Sequence, residues 1–288
     1  MTGSDRARVR RLASQGGMSL VEVMIAMVLG LIVVGAAFAV FLSNQQSYTA
    51  NEGLNRVQEG ARVGLELIAR DIRAAGGSAC SNASELTGGS GAEQAFRDTP
   101  VAGDAVSLTV TSAEDSAYRI ASASATTLTL EAGQVDGDDA TNAFAVGDTL
   151  LLCNARKSFI VDATAVSGLD ITHDALPGGY DIGSDEFAGL ATVAVARFRN
   201  ARWFVAGNTR GTSSLWVSRE GGSNEEVVEG VNAIAFQYRS VGGAYTAAPT
   251  AGNIDAVHVQ ITLAGAPVDG QAVSRTASSV VNVRARTL

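Results

Sequence analysis

The sequence predicts an α+β fold, in which a long N-terminal α-helix with a membrane-spanning first half packs on a C-terminal β-rich globular domain. Residues 23–42 carry no charged side chain, and apolar residues then recur at steps of three and four up to residue 75, as on one face of a helix. After residue 77 the chain is rich in Gly, Ala, Ser, Thr and Val. There, short β-type runs alternate with glycine-rich turns.

A basic leader precedes the apolar run. Residues 1–17 contain four arginines and one acid, and arginines on this side of an apolar segment hold the N-terminus in the cytoplasm. The apolar run is about 20 residues long and reaches roughly 30 Å as a helix, the thickness of the hydrocarbon layer. It is longer than the apolar core of a secretory signal peptide. It also follows the candidate cleavage point after Gly17, whereas the core of a signal peptide precedes its cleavage site. We therefore expect it to remain in the mature protein as a single membrane span.

A carboxylate lies at the start of the apolar helix. Glu22 is costly there, because a charge inside a bilayer costs roughly 2.5–3.5 kcal/mol at the centre and less near an interface. If the chain is cut after Gly17, the new amine of Met18 lies one helical turn from Glu22. The two charges could pair within one chain or between neighbouring chains. The alternative is an ordinary single-span anchor.

The segment Gly17-Met18-Ser19-Leu20-Val21-Glu22 and the apolar residues 23–42 resemble the class III signal of type IV prepilins and of type II secretion pseudopilins. The resemblance implies that prepilin peptidase cuts after Gly17 and methylates the amine of Met18. It also implies that Glu22 contacts the N-terminus of an adjacent subunit. Most major pilins carry Phe where this chain has Met18, whereas minor pilins accept other apolar residues there.

The helix is expected to continue beyond the membrane over residues 43–77, as one helix of residues 18–75 that stops at Gly76-Gly77. Its apolar stripe could form a coiled-coil stalk or lie across a β-sheet. We favour the sheet, because the rest of the chain is predicted to form strands. The stripe consists of Leu54, Val57, Ala61, Leu65, Ile68 and Ile72.

Residues 78–288 are predicted to form a β-rich periplasmic domain, with variable or flexible loops at residues 81–100 and 132–147. About 210 residues suffice for a sizeable core. The predicted strands are Ala105–Thr111, Ala125–Leu130, Asp148–Cys153, Phe159–Ala163, Val193–Asn200, Arg202–Ala206, Ser214–Ser218, Ala233–Ser240, Ala256–Leu263 and Ser278–Arg284.

The order of several motifs resembles the PilW family of minor pilins. They are Glu66–Gly77 followed by Cys80, then Asp148–Cys153, Ser214–Arg219, Glu226–Arg239, Asp255–Leu263, Arg275 and Asn282-Val283-Arg284. This resemblance implies a type IV pilin-like fold and a non-enzymatic subunit that helps to initiate, assemble or cap a type IV pilus. The implied partners are prepilin peptidase, the major pilin, other minor pilins and the inner-membrane assembly machinery. The implied location is the inner membrane, single-pass, or the pilus at the cell surface.

Two alternatives to this role remain open. The first is the J-type minor pseudopilin of a type II secretion system, a close relative. The second is a membrane-anchored receptor or enzyme, which would need a polar site and would be favoured by an uncut leader.

The chain has two cysteines, Cys80 and Cys153, both in the part that the basic leader places outside the cytoplasm. Disulfides persist in such compartments, so we expect the two residues to be bridged. The alternative is a pair of buried free thiols. Two cysteines are too few for a zinc site, which needs four ligands.

Charge and motifs exclude several functions. The formal net charge is −8, which argues against nucleic-acid binding, and neither a catalytic motif nor a cofactor is expected. His173 is predicted in a loop beside Asp174, and His258 on the surface of a strand. The acidic loop Asp136–Asp139 could take calcium, but it lacks the spacing of an EF-hand, so a solvated loop is the favoured interpretation.

Overall fold

The computed structural model describes residues 17–77, 80, 85–86, 96, 98–176, 178, 180, 193–219, 222–249, 254–264 and 274–283. The chain divides into two compact units, Met1–Glu52 and Gly53–Leu288. Of the predicted leader, only Gly17 lies within the described residues. Most of the predicted loop at residues 81–100 also lies outside them.

One helix, α1, runs from Leu20 to Ala74 and contributes to both units. It contains no proline, and Gly76 follows its end with a φ of 66°, the left-handed backbone that terminates many helices. The Gly76 N–H donates to the carbonyl of Thr111 at 2.9 Å. The helix thus ends one residue before the predicted position and passes into the β-domain.

Within the second unit, α1 packs on β-sheet residues, which confirms the sheet rather than the coiled-coil interpretation. Its residues Val57, Ala61, Ile68 and Ile72 are buried in a core that also holds Trp203, Leu215, Val217, Ile261 and Leu263. Two glycines allow the close approach. A Cβ on Gly60 would lie 2.8 Å from Val228, and a Cβ on Gly64 would lie 3.1 Å from Leu215.

A buried carboxylate joins this helix to the sheet. Asp71 is only 5% exposed. It accepts hydrogen bonds from the Arg199 guanidinium and from the Trp203 indole N–H, each at 2.9 Å. A buried charge with both an ionic partner and a second hydrogen bond is tolerated, whereas an unpaired one is strongly destabilising.

Most of the second unit is β-structure. The strands are β1 (Glu85–Leu86), β2 (Val101–Gly103), β3 (Ser107–Ala123), β4 (Thr127–Leu130), β5 (Thr149–Cys153), β6 (Lys157–Ser167), β7 (Asp170–His173), β8 (Ala194–Gly207), β9 (Ser213–Arg219), β10 (Glu225–Glu229), β11 (Val231–Ser240), β12 (Tyr245–Thr246), β13 (Ile254–Ala264) and β14 (Ser274–Asn282). The α+β fold predicted from the sequence is therefore confirmed.

Six of the strands form a closed ring. The pairings run from β3 to β8, β5, β6, β7 and β4 and return to β3. The ring surrounds its own core, which includes Leu128, Phe144, Leu150, Phe159 and Ile171. Closure leaves no unpaired edge within the ring, as in small β-barrels.

The larger sheet also extends beyond the ring. Strands β11 to β14, which follow in the chain, form a second sheet. Strands β9 and β10 continue outward from β8, and β2 pairs with β3. The second sheet has the order β12-β11-β13-β14. Its strands share the core that contains α1. The helix therefore contributes to this core and not to that of the ring.

Several predicted strands differ from the observed ones. The two predicted runs at residues 193–206 form the single strand β8, and β3 continues through the polar stretch after Thr111, with a bulge between Ala113 and Ala117. The prediction missed β1, β2, β7, β10 and β12. Residues 136–138 and 140–142 of the predicted loop at 132–147 form two short 3-10 turns.

A disulfide joins Cys80, which follows the helix, to Cys153 at the end of β5. Replacing both with alanine should lower the free energy of unfolding by roughly 4 kcal/mol, because the bridge restricts the unfolded chain across a sequence separation of 73. Urea unfolding of the full chain in detergent measures the loss. Reductant should reproduce it in the wild type and leave the double variant unchanged. Wild-type mobility that does not respond to reductant on a nonreducing gel would contradict the bridge.

Candidate functional site

The predicted cleavage site lies just before the helix. Gly17 and Met18 are both exposed and outside regular structure, and the helix begins two residues later at Leu20. A Cβ on Gly17 would meet no other atom within 4 Å. The fold itself therefore does not require glycine here, and a requirement for it would have to come from a protein that binds this segment.

Ser19 caps the helix. The backbone N–H of Glu22 donates to the Ser19 hydroxyl at 3.2 Å and to the Ser19 carbonyl at 3.1 Å. Ser19 and Glu22 have the spacing of a capping box, in which a serine cap and an acid three residues later bracket the first turn. This role of Ser19 was not predicted, although the S-x-x-E pattern in the sequence is typical of a capping box.

The Glu22 carboxylate itself is unpaired within the described part of the chain. The capping bonds use its backbone N–H, so its two oxygens stay available to a group from outside the chain. A negative charge in the first turn is also favoured by the helix dipole. Met18 precedes Glu22 by four residues, and one helical turn separates residues at that spacing.

The helix over residues 20–42 presents an apolar surface on all sides. Large side chains along the helix from Leu20 to Leu42 are largely exposed, such as Leu31, Val33 and Phe38, each more than 60% exposed. This stretch of α1 is long and apolar enough to cross a membrane, and it lies near the N-terminus. A helix that is apolar all round is typically a membrane span or is surrounded by other helices.

Residues 12–38 match the model of the prokaryotic N-terminal methylation motif. The N-terminal segment is prepilin-like. The matched range contains Gly17, Met18 and Glu22. No curated protein and no solved structure matched the chain.

The motif and the apolar helix support a pilin-like or pseudopilin-like protein that is anchored in a membrane. They also support a structural rather than a catalytic role, with processing by prepilin peptidase and an association with pilus machinery.

The polar residues singled out elsewhere do not assemble into a site. Within the described residues, no group of three or more His, Cys, Asp or Glu could hold a metal ion. The carboxylates of the acidic loop instead support turns. Asp138 accepts from the Gly133 N–H, and Asp139 accepts from the Thr141 N–H and hydroxyl.

His173 ends strand β7 and is 2% exposed, so the predicted loop position was wrong. Its Nδ1 lies 2.6 Å from the Asp174 carbonyl, and its Nε2 is buried without a partner among the described groups. Burial lowers the pKa of His173, although its contacts with Asp174 oppose the shift. His258 lies half-buried on β13, beside Gln237.

The lowered pKa of His173 predicts a loss of stability in acid. The unfolded chain takes up a proton at His173 below about pH 6.5, whereas the folded chain resists it, so the free energy of unfolding should fall as the pH drops below that value. Thermal unfolding at pH 7.5 and pH 5.5 measures this change. The H173L variant should lose less stability between the two pH values than the wild type. Equal losses in the two proteins would refute this assignment.

Proposed function

We propose that this chain is a PilW-like minor pilin. Prepilin peptidase removes residues 1–17 and methylates the amine of Met18, the helix over residues 18–42 holds the subunit in the inner membrane, and the β-domain lies in the periplasm. The subunit then joins other minor pilins and the major pilin at the assembly machinery and takes part in initiating a type IV pilus.

The observation that carries this proposal is the arrangement at the start of α1. An exposed Gly17–Met18 bond precedes a capped helix whose first turn presents the unpaired carboxylate of Glu22. Removing the leader creates a positive charge on Met18 next to this carboxylate. In a filament, the amine of one subunit neutralises Glu22 of its neighbour, which lowers the cost of both charges in the apolar layer.

The exposed apolar surface of the first unit fits the same role. In the membrane, lipid covers this surface, and in a filament the helices of other subunits replace the lipid. Gly30 and Gly35 leave open space around their Cα atoms, because a Cβ on either would meet nothing within 4 Å. Small residues of this kind allow helices to approach closely.

The mature N-terminus tests the proposal directly. Mass spectrometry of the protein from membranes and from sheared filaments should find Met18 as the first residue, with one methyl group on its amine, in both fractions. An intact leader in a strain whose prepilin peptidase is active would overturn the proposal and favour the membrane-anchored receptor or enzyme.

Replacing Gly17 with valine should block processing and leave the fold unchanged, since a Cβ at this position would meet no atom of the described residues within 4 Å. The precursor should migrate above the mature protein by the mass of residues 1–17, about 2 kDa. A strain without prepilin peptidase supplies the matched control and should show the same band for the wild type. Complete processing of the valine variant would contradict the assigned cleavage site.

Deletion of the gene separates the pilus role from that of a J-type minor pseudopilin. Loss of surface pili and of twitching with normal protein secretion supports the minor pilin. Loss of type II secretion with normal pili would support the pseudopilin instead.

A further inference from the structure

A groove of about 730 Å³ runs between α1 and strand β14, entirely within the second unit. Its floor includes the helix residues Val57, Ala61, Leu65 and Ala69, spaced four apart and therefore aligned along one face. From β14, the small side chains Ala277 and Ser279 point toward the same space. They lie in register with Ile261 and Val259, which are fully buried. The groove is thus an opening beside the core that the helix and the second sheet share.

Three arginines line this groove: Arg62 and Arg73 on the helix, and Arg275 on β14. All three are exposed, and none donates a hydrogen bond or forms an ion pair within the described part of the chain. The other charged residue of the lining is Glu66, so the groove has an excess of positive charge. Several arginines elsewhere are paired with carboxylates, such as Arg197 with Glu114 and Arg239 with Asp255.

An acidic chain with a locally positive groove is selective for negatively charged partners. The formal net charge of the whole sequence is −8, so this excess of arginine opposes the overall charge. Complementary charge directs association and fixes the orientation of a partner more than it adds affinity. The arginines therefore specify acidic side chains in the molecule that fills the groove.

Strand β14, at the rim of the groove, favours a partner with an extended backbone. Among the described strands, β14 pairs with β13 alone, over nine residues from Ser274 to Asn282. The opposite edge of β14 presents N–H and C=O groups to any extended chain that approaches. A strand added there places alternate side chains beside Ala277 and Ser279 on the face of the sheet that faces the apolar row of the helix.

We propose that an extended, acidic segment of another subunit docks in this groove as an additional strand on β14. On the side of this strand that faces the helix, small or branched apolar side chains lie in the middle and Asp or Glu lie toward the ends, because Arg275 shares the helix-facing side of β14 with Ala277 and Ser279. The apolar side chains fill the space between Leu65 and Ala277, and the acids reach Arg62, Arg73 and Arg275. This is β-strand addition with side-chain pockets for specificity. It depends only on the second unit and does not require cleavage after Gly17.

A synthetic nine-residue peptide of sequence Glu-Thr-Val-Thr-Val-Thr-Val-Thr-Glu, labelled with a fluorophore, tests whether the groove of the full chain, in nonionic detergent, binds such a strand. One face of this peptide carries three Val side chains between two Glu side chains, and Thr occupies the other face. Fluorescence anisotropy should show saturable binding. The R62E/R275E variant should bind at least about tenfold more weakly, because two attractive contacts become repulsive. R119E is the matched control, since Arg119 is exposed and lies outside the groove, and it should bind as the wild type does.

A second peptide separates strand addition from simple charge attraction. The same sequence with every backbone nitrogen methylated keeps its acids but cannot donate to β14, so its binding should be lost. Three results would each overturn the proposal. They are no binding of the unmodified peptide to the wild type, equal binding to R62E/R275E and R119E, and equal binding of the methylated and unmodified peptides.

Discussion

Replacing Glu22 with alanine should abolish most incorporation of this subunit into filaments while leaving it stably inserted in the membrane. The carboxylate has no partner among the described residues of its own chain, so its removal costs the isolated subunit little and makes the apolar helix easier to insert. In the assembled state, the amine of a neighbouring Met18 loses its counter-charge. Truncating one member of a buried charge pair costs 2–5 kcal/mol, which corresponds to a fall in incorporation of at least about tenfold.

The amount of the subunit in sheared filaments, relative to that in membranes, measures this effect. E59A is the matched control, because Glu59 is an exposed acid on the same helix but lies beyond the apolar stretch. E22Q adds a second comparison, since it keeps the shape of the side chain without its charge and should fail as E22A does. If E22A reaches wild-type levels in filaments, the pairing of Glu22 with a neighbouring amine is wrong.

Replacing Asp71 with alanine should strongly destabilise the second unit. The variant leaves the Arg199 guanidinium and the Trp203 N–H without their shared acceptor. Arg199 is already short of partners, because its Nε has none among the described groups. Breaking a buried pair on one side costs 3–5 kcal/mol, and we expect about 3 kcal/mol here because the Arg199 side chain is 21% exposed.

Urea unfolding followed by tryptophan fluorescence measures the effect. D115A is the matched control, because Asp115 pairs with Arg70, the helix residue next to Asp71, and both side chains are more than half exposed. An exposed pair contributes less than about 1 kcal/mol. D71N should recover part of the loss, because its side-chain oxygen can still accept from Trp203. A loss of stability in D71A no greater than that in D115A would refute the stabilising role of the contact of Asp71 with Arg199 and Trp203.

The buried face of α1 could be predicted because it follows from local spacing. Val57, Ala61, Ile68 and Ile72 recur at helical steps, and all four are buried. Asp71 could not be predicted, since a carboxylate in such a pattern normally marks the solvent face. Its burial depends on partners 128 and 132 residues further along the chain, and no local pattern encodes that meeting.

The strands show the same limit. Runs with alternating apolar residues, such as Ala256–Leu263, were placed within a residue or two of the observed strand because alternation is local. The polar part of β3 after Ala113 has no such alternation, and it is held as a strand by its pairing with β8. The closed ring could not be foreseen either, because it is fixed by which strands pair rather than by the composition of any one strand.

At the start of α1, sequence alone identified the residues and the structure added the helix cap. Glu22 stands out because a carboxylate inside an apolar run requires a reason, whereas the roles of Gly17 and Met18 are implied by the resemblance to the class III signal. The capping role of Ser19 emerged only from its bonds to Glu22. Whether the carboxylate meets an amine depends on a second chain, so neither the sequence nor the fold of one subunit encodes it.

The disulfide has a mechanical consequence for a protein that is held by its helix. Tension along α1 reaches the second unit where the packed segment of the helix begins, at Val57, and is carried past Asp71 to the helix end. Because Cys80 is bonded to Cys153, the force goes directly into β5, a member of the closed ring, and bypasses the stretch between the two cysteines. A subunit under traction should therefore yield first by shear of the helix against its sheet, while the ring remains folded.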